Sequence, residues 1–507
     1  MKKLIFFCLF SSLSLFLSNC QKESSQKSDE NEPALLVQQY CGNCHQQPDP
    51  EILPLHIWEE IVLPRMGYHL GIYPSSEFRE TLFENNAGGE IVQAAGLYPE
   101  EPVLSDEQWL KIQEFFLDRA PKKLDLPDPV HTIDLKLFER KIPDYFLSPP
   151  STTMVKIREE GGLYIGEANK RALFQFNDQL EMINQANLRE GPVDILETPN
   201  DILVQIMGSF SPTDEPSGLM VRLPKKQGQA QIIADKLQRP VDFSVGDLNG
   251  DNRPELVCAE FGKWTGALSL FEATTKGLQR RVIDASPGVV KSMIYDINED
   301  GFQDIVALFA QGNERITAYL GDGNGEFKRR NLLALHPSMG SCFLDTIDWD
   351  LDGDLDLIYC AGDNADYSPI LKPYHGIYIF ENKGDLVFEE SFFYHQYGAY
   401  KAIPRDFDQD GDMDLAAISF FPDFEKGASE MFLYLENDGR NQFTPHSFDG
   451  LSLGRWIVMD VGDFDLDGDE DLALGSLTME VPGRSDLIQE WIKKGIPFII
   501  LENKLKG

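Results

Sequence analysis

Two sets of residues in this chain carry chemistry through type and spacing. The first is five short runs with acids or amides at alternate positions: Asp247-Leu-Asn249-Gly-Asp251, Asp296-Ile-Asn298-Glu-Asp300, Asp348-Trp-Asp350-Leu-Asp352, Asp406-Phe-Asp408-Gln-Asp410 and Asp463-Phe-Asp465-Leu-Asp467. A further acid stands at the ninth position of each: Glu255, Asp304, Asp356, Asp414 and Asp471. Alternate carboxylates in a tight turn bring hard oxygens to one point, which suits Ca²⁺. These residues are therefore candidate calcium ligands, for up to five ions. Position six is Gly301, Gly353, Gly411 or Gly468, with Asn252 in the first copy, where the chain must turn through positive φ. Short β-type runs flank the loop, such as Phe343–Ile347 and Leu355–Tyr359, instead of the helices of an EF-hand. The loop is expected to close a β-hairpin.

The second set is Cys41-Gly-Asn-Cys44-His45, the c-type haem attachment pattern. Two thiols on one helical turn reach both haem vinyl groups, and the adjoining His45 supplies the proximal iron ligand. A bare CxxC would also suit a redox pair or half of a zinc site. The following His, an export signal and the lack of a second CxxC argue against both. Met66, in Leu63-Pro-Arg-Met66-Gly, is the candidate sixth ligand, with His56 and His69 as alternatives. A thioether there would raise the potential relative to a bis-His site. Leu53, Trp58 and Ile61 read as pocket wall or as core.

The elements that must position these groups follow from periodicity. The first acids lie 49, 52, 58 and 57 residues apart, the spacing of propeller blades. The pattern resembles the FG-GAP/VCBS repeat family (integrin-alpha-like) over roughly Asp242 to Lys506, and that resemblance implies β-propeller blades holding Ca²⁺ in the hairpin loop. Two unmarked units with period-two alternation precede them, Thr153–Phe176 and Pro192–Leu223, giving seven blades, with eight as the alternative. A strand at His131–Lys136 is expected to close the ring by joining the last blade. The calcium loops are first turns and share one face. Insertions after the second strand crowd the other: 208–217, 361–375, 420–429 and 477–497. Tyr367, Tyr374, Phe420 and Phe421 there, with Trp264, Tyr394 and Tyr397, form either a recognition surface or a set of rings packed on one another. Arg239, Lys291, Lys401 and Arg455 begin marked blades near the channel mouth, as an anion site or as salt bridges between blades.

The region Pro33–Leu124 resembles a small all-α monohaem cytochrome c. Leu35–Tyr40 is its first helix, and Ser105-Asp-Glu-Gln108 caps a closing helix over Trp109–Arg119. Ahead of it, Lys2-Lys3 and the apolar run Leu4–Leu17 read as a signal peptide. Leu17-Ser-Asn-Cys20 resembles a lipobox with Cys20 acylated, although Asn19 departs from the usual small residue. The expected organisation is a leader over 1–19, a tether over 20–32, a haem domain over 33–124 and a propeller over 125–507. Export to the outer membrane of a Gram-negative bacterium follows, on the periplasmic or the cell-surface side.

A net charge of −38 over 507 residues makes nucleic acid and anionic membrane poor partners. Cys258, Cys342 and Cys360 sit in strand runs, and the last two flank one loop, as a disulfide or as small buried hydrophobes. No hydrolase or transferase motif is present, and the eight histidines do not cluster. The leading expectation is a membrane-anchored electron carrier with one haem c, whose propeller docks a redox partner protein or a ligand. The alternative is a surface adhesion module for a glycan or protein, with the haem subsidiary. A quinohaemoprotein-like dehydrogenase would instead show Trp-rich repeats.

Overall fold

The computed structural model describes residues 32–129, 132–226, 228–275, 277–364, 368–426 and 429–506. The leader, Cys20 and the tether up to residue 31 lie outside these residues, as do His131 and Tyr367. Seven α-helices are described: α1 (32–40), α2 (Leu55–Ile57), α3 (Leu63–His69), α4 (Ser76–Glu80), α5 (Ala87–Ala94), α6 (Asp106–Leu117) and α7 (Ser485–Lys494), with a π-helical turn over Trp58–Val62 joining α2 to α3. Among the described residues, no helix is long and apolar enough to cross a membrane. The chain forms two compact units, one ending at Tyr73 and resuming over Pro99–Leu124, the other combining Pro74–Tyr98 with the chain from Asp125. The segment carrying α4 and α5, read from sequence with the haem domain, thus groups with the propeller.

In the helical unit, Leu36 and Val37 of α1 are buried, as are Leu53, Trp58, Leu63, Ile112 and Phe116. The rings of Trp58 and Phe116 lie 4.5 Å apart, and the buried indole N–H donates to the Pro50 carbonyl at 2.9 Å. α6 starts on the expected capping box: Ser105 Oγ accepts from Gln108 N–H, and the Gln108 side chain accepts from Ser105 N–H at 2.9 Å.

The larger unit holds seven antiparallel four-stranded sheets, which decides the count between seven and eight. The first strands of blades 1 to 7 are Thr152–Ile157, Pro192–Glu197, Pro240–Gly246, Val289–Tyr295, Ser341–Ile347, Ala399–Arg405 and Trp456–Gly462. Each contacts the next, and the seventh returns to the first, so these strands form the inner ring. Second strands are sandwiched between neighbouring blades. In blades 3 to 7 every residue of them is buried, and each fully buried Leu, Ile or Val there contributes about 1.5–3 kcal/mol.

The ring is closed by Phe138–Lys141, not by residues 131–136. Phe138 pairs opposite Asn503 and Lys141 opposite Ile500, making the outer strand of blade 7. The alternation in His131–Lys136 imitates a strand, but Ile133 is 68% exposed. Phe138 instead fills the seam between the last two blades, 5.6 Å from the rings of both Phe407 and Tyr434.

Every first strand bulges at its second residue, at Thr153, Val193, Val241, Val290, Cys342, Tyr400 and Ile457. The bulge displaces Cys342 from Cys360, which pairs with Phe343, and both thiols are free. Carboxylates stitch the inner seams. Asp194 accepts from Phe243 N–H at 3.2 Å, Asp242 from Ser292 N–H at 2.8 Å, and Asp460 from Ile157 N–H at 2.8 Å. Between blades 4 and 5 the buried Glu314 accepts from Ser341 N–H at 3.0 Å and from its hydroxyl at 2.5 Å. Burial pushes Glu314 up to about 7. From its ordinary range to neutrality the folded chain therefore keeps a proton that the unfolded chain has lost. The resulting stabilisation is full in acid and fades as pH rises through 7. Glu314→Gln keeps the acceptor oxygen, so its melting temperature should fall less than the parent's between about pH 5 and about pH 8. Parallel pH profiles would show that Glu314 does not titrate in this window.

Candidate functional site

The five acidic runs close hairpins between the first and second strands of blades 3 to 7. Their backbone turns twice through the left-handed region. Position six does so at Asn252, Gly301, Gly353, Gly411 and Gly468, as the sequence suggests. Position four does so too, at Gly250, Glu299, Leu351, Gln409 and Leu466, and only Gly250 signals it. Leu351 and Leu466 hold φ of 61° and 66° while 79% and 56% exposed. Left-handed backbone costs a leucine about 1–2 kcal/mol, so the loop shape is imposed by its side-chain contacts.

The ninth-position acid makes most of those contacts. Both oxygens of Asp356 are taken, by Trp349 N–H and Asn382 N–H at 2.8 Å each. Asp471 binds Phe464 N–H at 2.9 Å and Asn503 N–H at 2.8 Å. Asp304 does the same with Ile297 and Gly321 N–H, at 3.1 and 2.7 Å. Asp414 takes Asn437 N–H and the Tyr434 hydroxyl, both at 2.8 Å, and Glu255 takes Leu248 N–H at 2.9 Å. In blades 4 to 7 this acid ties the first hairpin to the third strand. Burial pushes Asp304 up to about 6, and Asp414 and Asp471 up to about 7.

The loops divide at the first acid. In blades 3 and 4 its oxygens are satisfied within the loop: Asp247 by Gly250 and Asn252 N–H at 2.8 Å, Asp296 by Asp300 and Gly301 N–H at 3.0 and 2.8 Å. In blades 5 to 7, Oδ1 of Asp348, Asp406 and Asp463 is buried without a hydrogen-bond partner. So is Oδ1 of Asp354, Asp412 and Asp469 at position seven. The sequence reading passed over these position-seven acids, although Asp-x-Asp-x-Asp-Gly-Asp is plain in three copies while Arg253 and Phe302 stand there in the other two. Carboxylate oxygens of Asp348, Asp350 and Asp356 converge within 4.8 Å, as do those of Asp406, Asp408 and Asp410, and of Asp463, Asp465 and Asp471. Burial and the neighbouring carboxylates push Asp354 up to about 6. Orphaned oxygens among converging like charges fit a hard divalent cation.

In the helical unit, α1 runs straight into the two thiols, with Cys41 N–H donating to the Val37 carbonyl at 2.8 Å. Cys41 and Cys44 are both free, and burial followed by the neighbouring Cys44 pushes Cys41 up to about 11. His45 Nδ1 lies 2.8 Å from the Gln46 carbonyl oxygen. A carbonyl can only accept, so Nδ1 is the donor, and in the neutral ring the lone pair is then on Nε2, the arrangement of a metal-ligating histidine. Met66 is half-buried on α3, on which His69 also lies, and His56 is exposed on α2.

The insertions link second to third strands in blades 2, 5, 6 and 7, as expected from topology. Phe420 is buried and lies 5.0 Å from Phe421, whereas Tyr374 packs on His375, the buried inter-blade Tyr397 on His395, and Trp264 on Tyr98. The four channel-mouth cations have different nearest partners, although Lys291 is close enough to add to the effect of burial in pushing Lys401 down, and Arg239 and Arg455 both act on Tyr400. Lys291 pairs with Asp242 at 2.6 Å, Lys401 lies 5.3 Å over Phe343 and Arg239 donates to the Gly262 carbonyl at 2.6 Å. Arg455 is buried 3.7 Å over Phe420, donates to that residue's carbonyl at 2.8 Å, and is pushed down to about 9 by burial.

A model of the FG-GAP-like repeat matches residues 296–359 and 406–474. The chain thus carries FG-GAP-like repeats within a seven-bladed propeller. No curated protein matches its sequence. Among solved structures, the N-terminal domain of Nup159 is 12% identical, with 74% of this chain and 98% of that one covered and a TM-score of 0.41. BBS1N in complex with ARL6DN, soaked with mercury, is 10% identical over 75% and 99%, with a TM-score of 0.44. Luciferin-regenerating enzyme is 10% identical over 72% and 96%, with a TM-score of 0.37. None of these bears on function.

The two kinds of loop acid separate experimentally. In chelator at about pH 8, Asp471→Asn should cost about 1–3 kcal/mol, because an amide N–H₂ then faces a buried backbone N–H. Asp465→Asn, which removes one of several like charges, should cost nothing under the same conditions. Equal losses in thermal or urea unfolding would contradict the division between clip and ligand.

Proposed function

We propose that this chain is a membrane-anchored c-type haem electron-transfer protein whose calcium-clipped propeller docks a redox partner or a ligand. The observation that carries the haem reading is His45, with Nδ1 directed at the Gln46 carbonyl, directly after two free thiols at a helix end. Cys41 and Cys44 would hold the group as thioethers, His45 would bind iron on one side, and Met66 on the other, ahead of His56 and His69. When bound, haem supplies one-electron chemistry. The chain supplies the anchoring thiols and a histidine whose Nδ1 is held on a backbone carbonyl, in a unit whose core includes the Trp58–Phe116 pair. Acylated Cys20 would tether it to the membrane.

The loops of blades 5, 6 and 7 would each take a calcium ion through Asp348, Asp350 and Asp354, through Asp406, Asp408 and Asp412, and through Asp463, Asp465 and Asp469. Those of blades 3 and 4 already satisfy their first acid by hydrogen bonds. Calcium there is a clip, not a reactant. A second reading, a surface binding module with a subsidiary haem, is favoured by the FG-GAP-like repeats themselves, which are consistent with ligand binding.

Expressed with haem-maturation machinery, the full chain should keep haem through denaturation, and Cys41→Ser with Cys44→Ser should abolish this. His45→Ala should retain the thioethers but lose the low-spin spectrum, and Met66→Ala should lower the potential. Failure of the parent chain to acquire covalent haem would overturn the carrier reading. Separately, calorimetric titration of chelator-stripped protein should count three calcium ions, with Asp350→Asn, Asp408→Asn and Asp465→Asn each removing one. Five ions, or a loss on Asp251→Asn, would contradict the loop assignment.

A further inference from the structure

In a chain of net charge −38, the outer strands of the adjacent blades 3 and 4 carry five cations, against Lys236 on that of blade 2 and Arg140 and Lys141 on that of blade 7. Blade 3 ends on Gly277–Asp284, with Arg280 and Arg281, and blade 4 on Phe327–Ala334, with Lys328, Arg329 and Arg330. The outer strand of blade 1, Met182–Asn187, carries none. Between the two basic strands lies a cavity of about 370 Å³, lined among others by Arg281, Asp284, Tyr319, Glu326, Phe327 and Arg329. That volume is at the lower end for small-molecule sites.

The polar groups of this cavity are unequally committed. The Asp284 carboxylate is occupied by the Tyr319 hydroxyl at 2.6 Å, Ser286 N–H at 3.0 Å and the buried Arg315 at 3.2 Å. Arg329 approaches it only at 3.7 Å and is 48% exposed. Arg281 donates to the Gly325 carbonyl but reaches Glu272 and Glu326 only at 3.8 Å each. A guanidinium has five N–H donors in a planar fork, so both arginines keep capacity for a further acceptor. The half-buried Phe327 ring lies 5.7 Å from the Arg281 guanidinium. A planar fork recognises a carboxylate or phosphate through paired hydrogen bonds, and an aromatic face accepts the C–H face of a sugar ring.

We propose that this groove between blades 3 and 4 binds an anionic sugar, a pyranose ring bearing a carboxylate or a phosphate. Arg281 and Arg329 hold the anion and Phe327 the ring. The proposal rests on the propeller's ligand-binding reading and is independent of haem.

The test is calorimetry and saturation-transfer NMR on the full-length protein with glucuronate, glucose 6-phosphate, glucose and inorganic phosphate at millimolar concentration. Saturable binding of glucuronate, of glucose 6-phosphate or of both, with none of glucose, supports the proposal, and which of them binds distinguishes carboxylate from phosphate as the anion. Arg281→Gln with Arg329→Gln should then weaken binding at least about tenfold, while Arg222→Gln on blade 2, 46% exposed, leaves it unchanged. Phe327→Leu should weaken the anionic sugar but not inorganic phosphate. Melting curves check that each variant folds, and both arginines are exposed enough for folding to survive. Three results overturn the proposal: no saturable binding of either sugar to the parent chain, full binding by the double variant, or inorganic phosphate binding as tightly as the sugar. A normal haem spectrum alongside no sugar binding sinks this site alone and leaves the electron-carrier reading standing.

Discussion

Four residue pairs, Phe138–Lys141 against Ile500–Asn503, turn a row of seven sheets into a ring. They supply the fourth, outer strand of blade 7 from the chain ahead of blade 1, so the first and last blades are tied together. The closing strand also delivers Phe138 to the seam between blades 6 and 7, beside Phe407 and Tyr434. Once the ring is shut, the seven first strands contact one another in a circle. Asp460 meets Ile157 N–H across the closing seam, and Asp242 and Glu314 accept from the following blade's backbone in the same way at seams elsewhere in the ring.

The acidic loops show how one motif can serve two purposes. The ninth acid turns both oxygens toward backbone or hydroxyl donors and holds the hairpin against the third strand. The remaining acids face one another. Where Gly250 N–H and Asn252 N–H, or Asp300 N–H and Gly301 N–H, reach the first acid, the loop is self-sufficient. In the last three blades the first and seventh acids keep oxygens without a protein partner, a state that a cation, a proton or an ordered water relieves. The left-handed leucines at Leu351 and Leu466 mark the same loops as places where local preference gives way to that geometry.

Much of this was legible in the sequence. The acid spacing gave blade-length repeats, and strict alternation in Thr153–Phe176 and Pro192–Leu223 located the two unmarked blades. What escaped depended on three-dimensional competition. His131–Lys136 alternates and Phe138–Lys141 does not, yet pairing with Ile500–Asn503 and packing of Phe138 against Phe407 and Tyr434 select the latter. The bulge that separates Cys342 from Cys360 leaves no trace in composition, because its residue ranges from Thr153 to Tyr400. Left-handed φ at position four is invisible where leucine stands there. The position-seven acids were visible but outweighed by the fourfold pattern around them, and their orphaned oxygens appear only once burial is known. For the haem segment, the motif Cys41–His45 was fully legible, whereas the His45–Gln46 contact that fixes the imidazole tautomer depends on the backbone after the motif.

A thiol-bearing helix end, a tautomer-fixed histidine and a rigid propeller together make one-electron transfer the central claim. Its most direct test is a potentiometric titration of the purified full-length protein, followed through its reduced-minus-oxidised visible spectrum. A c-type band that appears and disappears reversibly, with a positive midpoint potential, is the expected result. A haem band that does not cycle, or no band after expression with maturation machinery, would contradict it and leave the propeller as the working part.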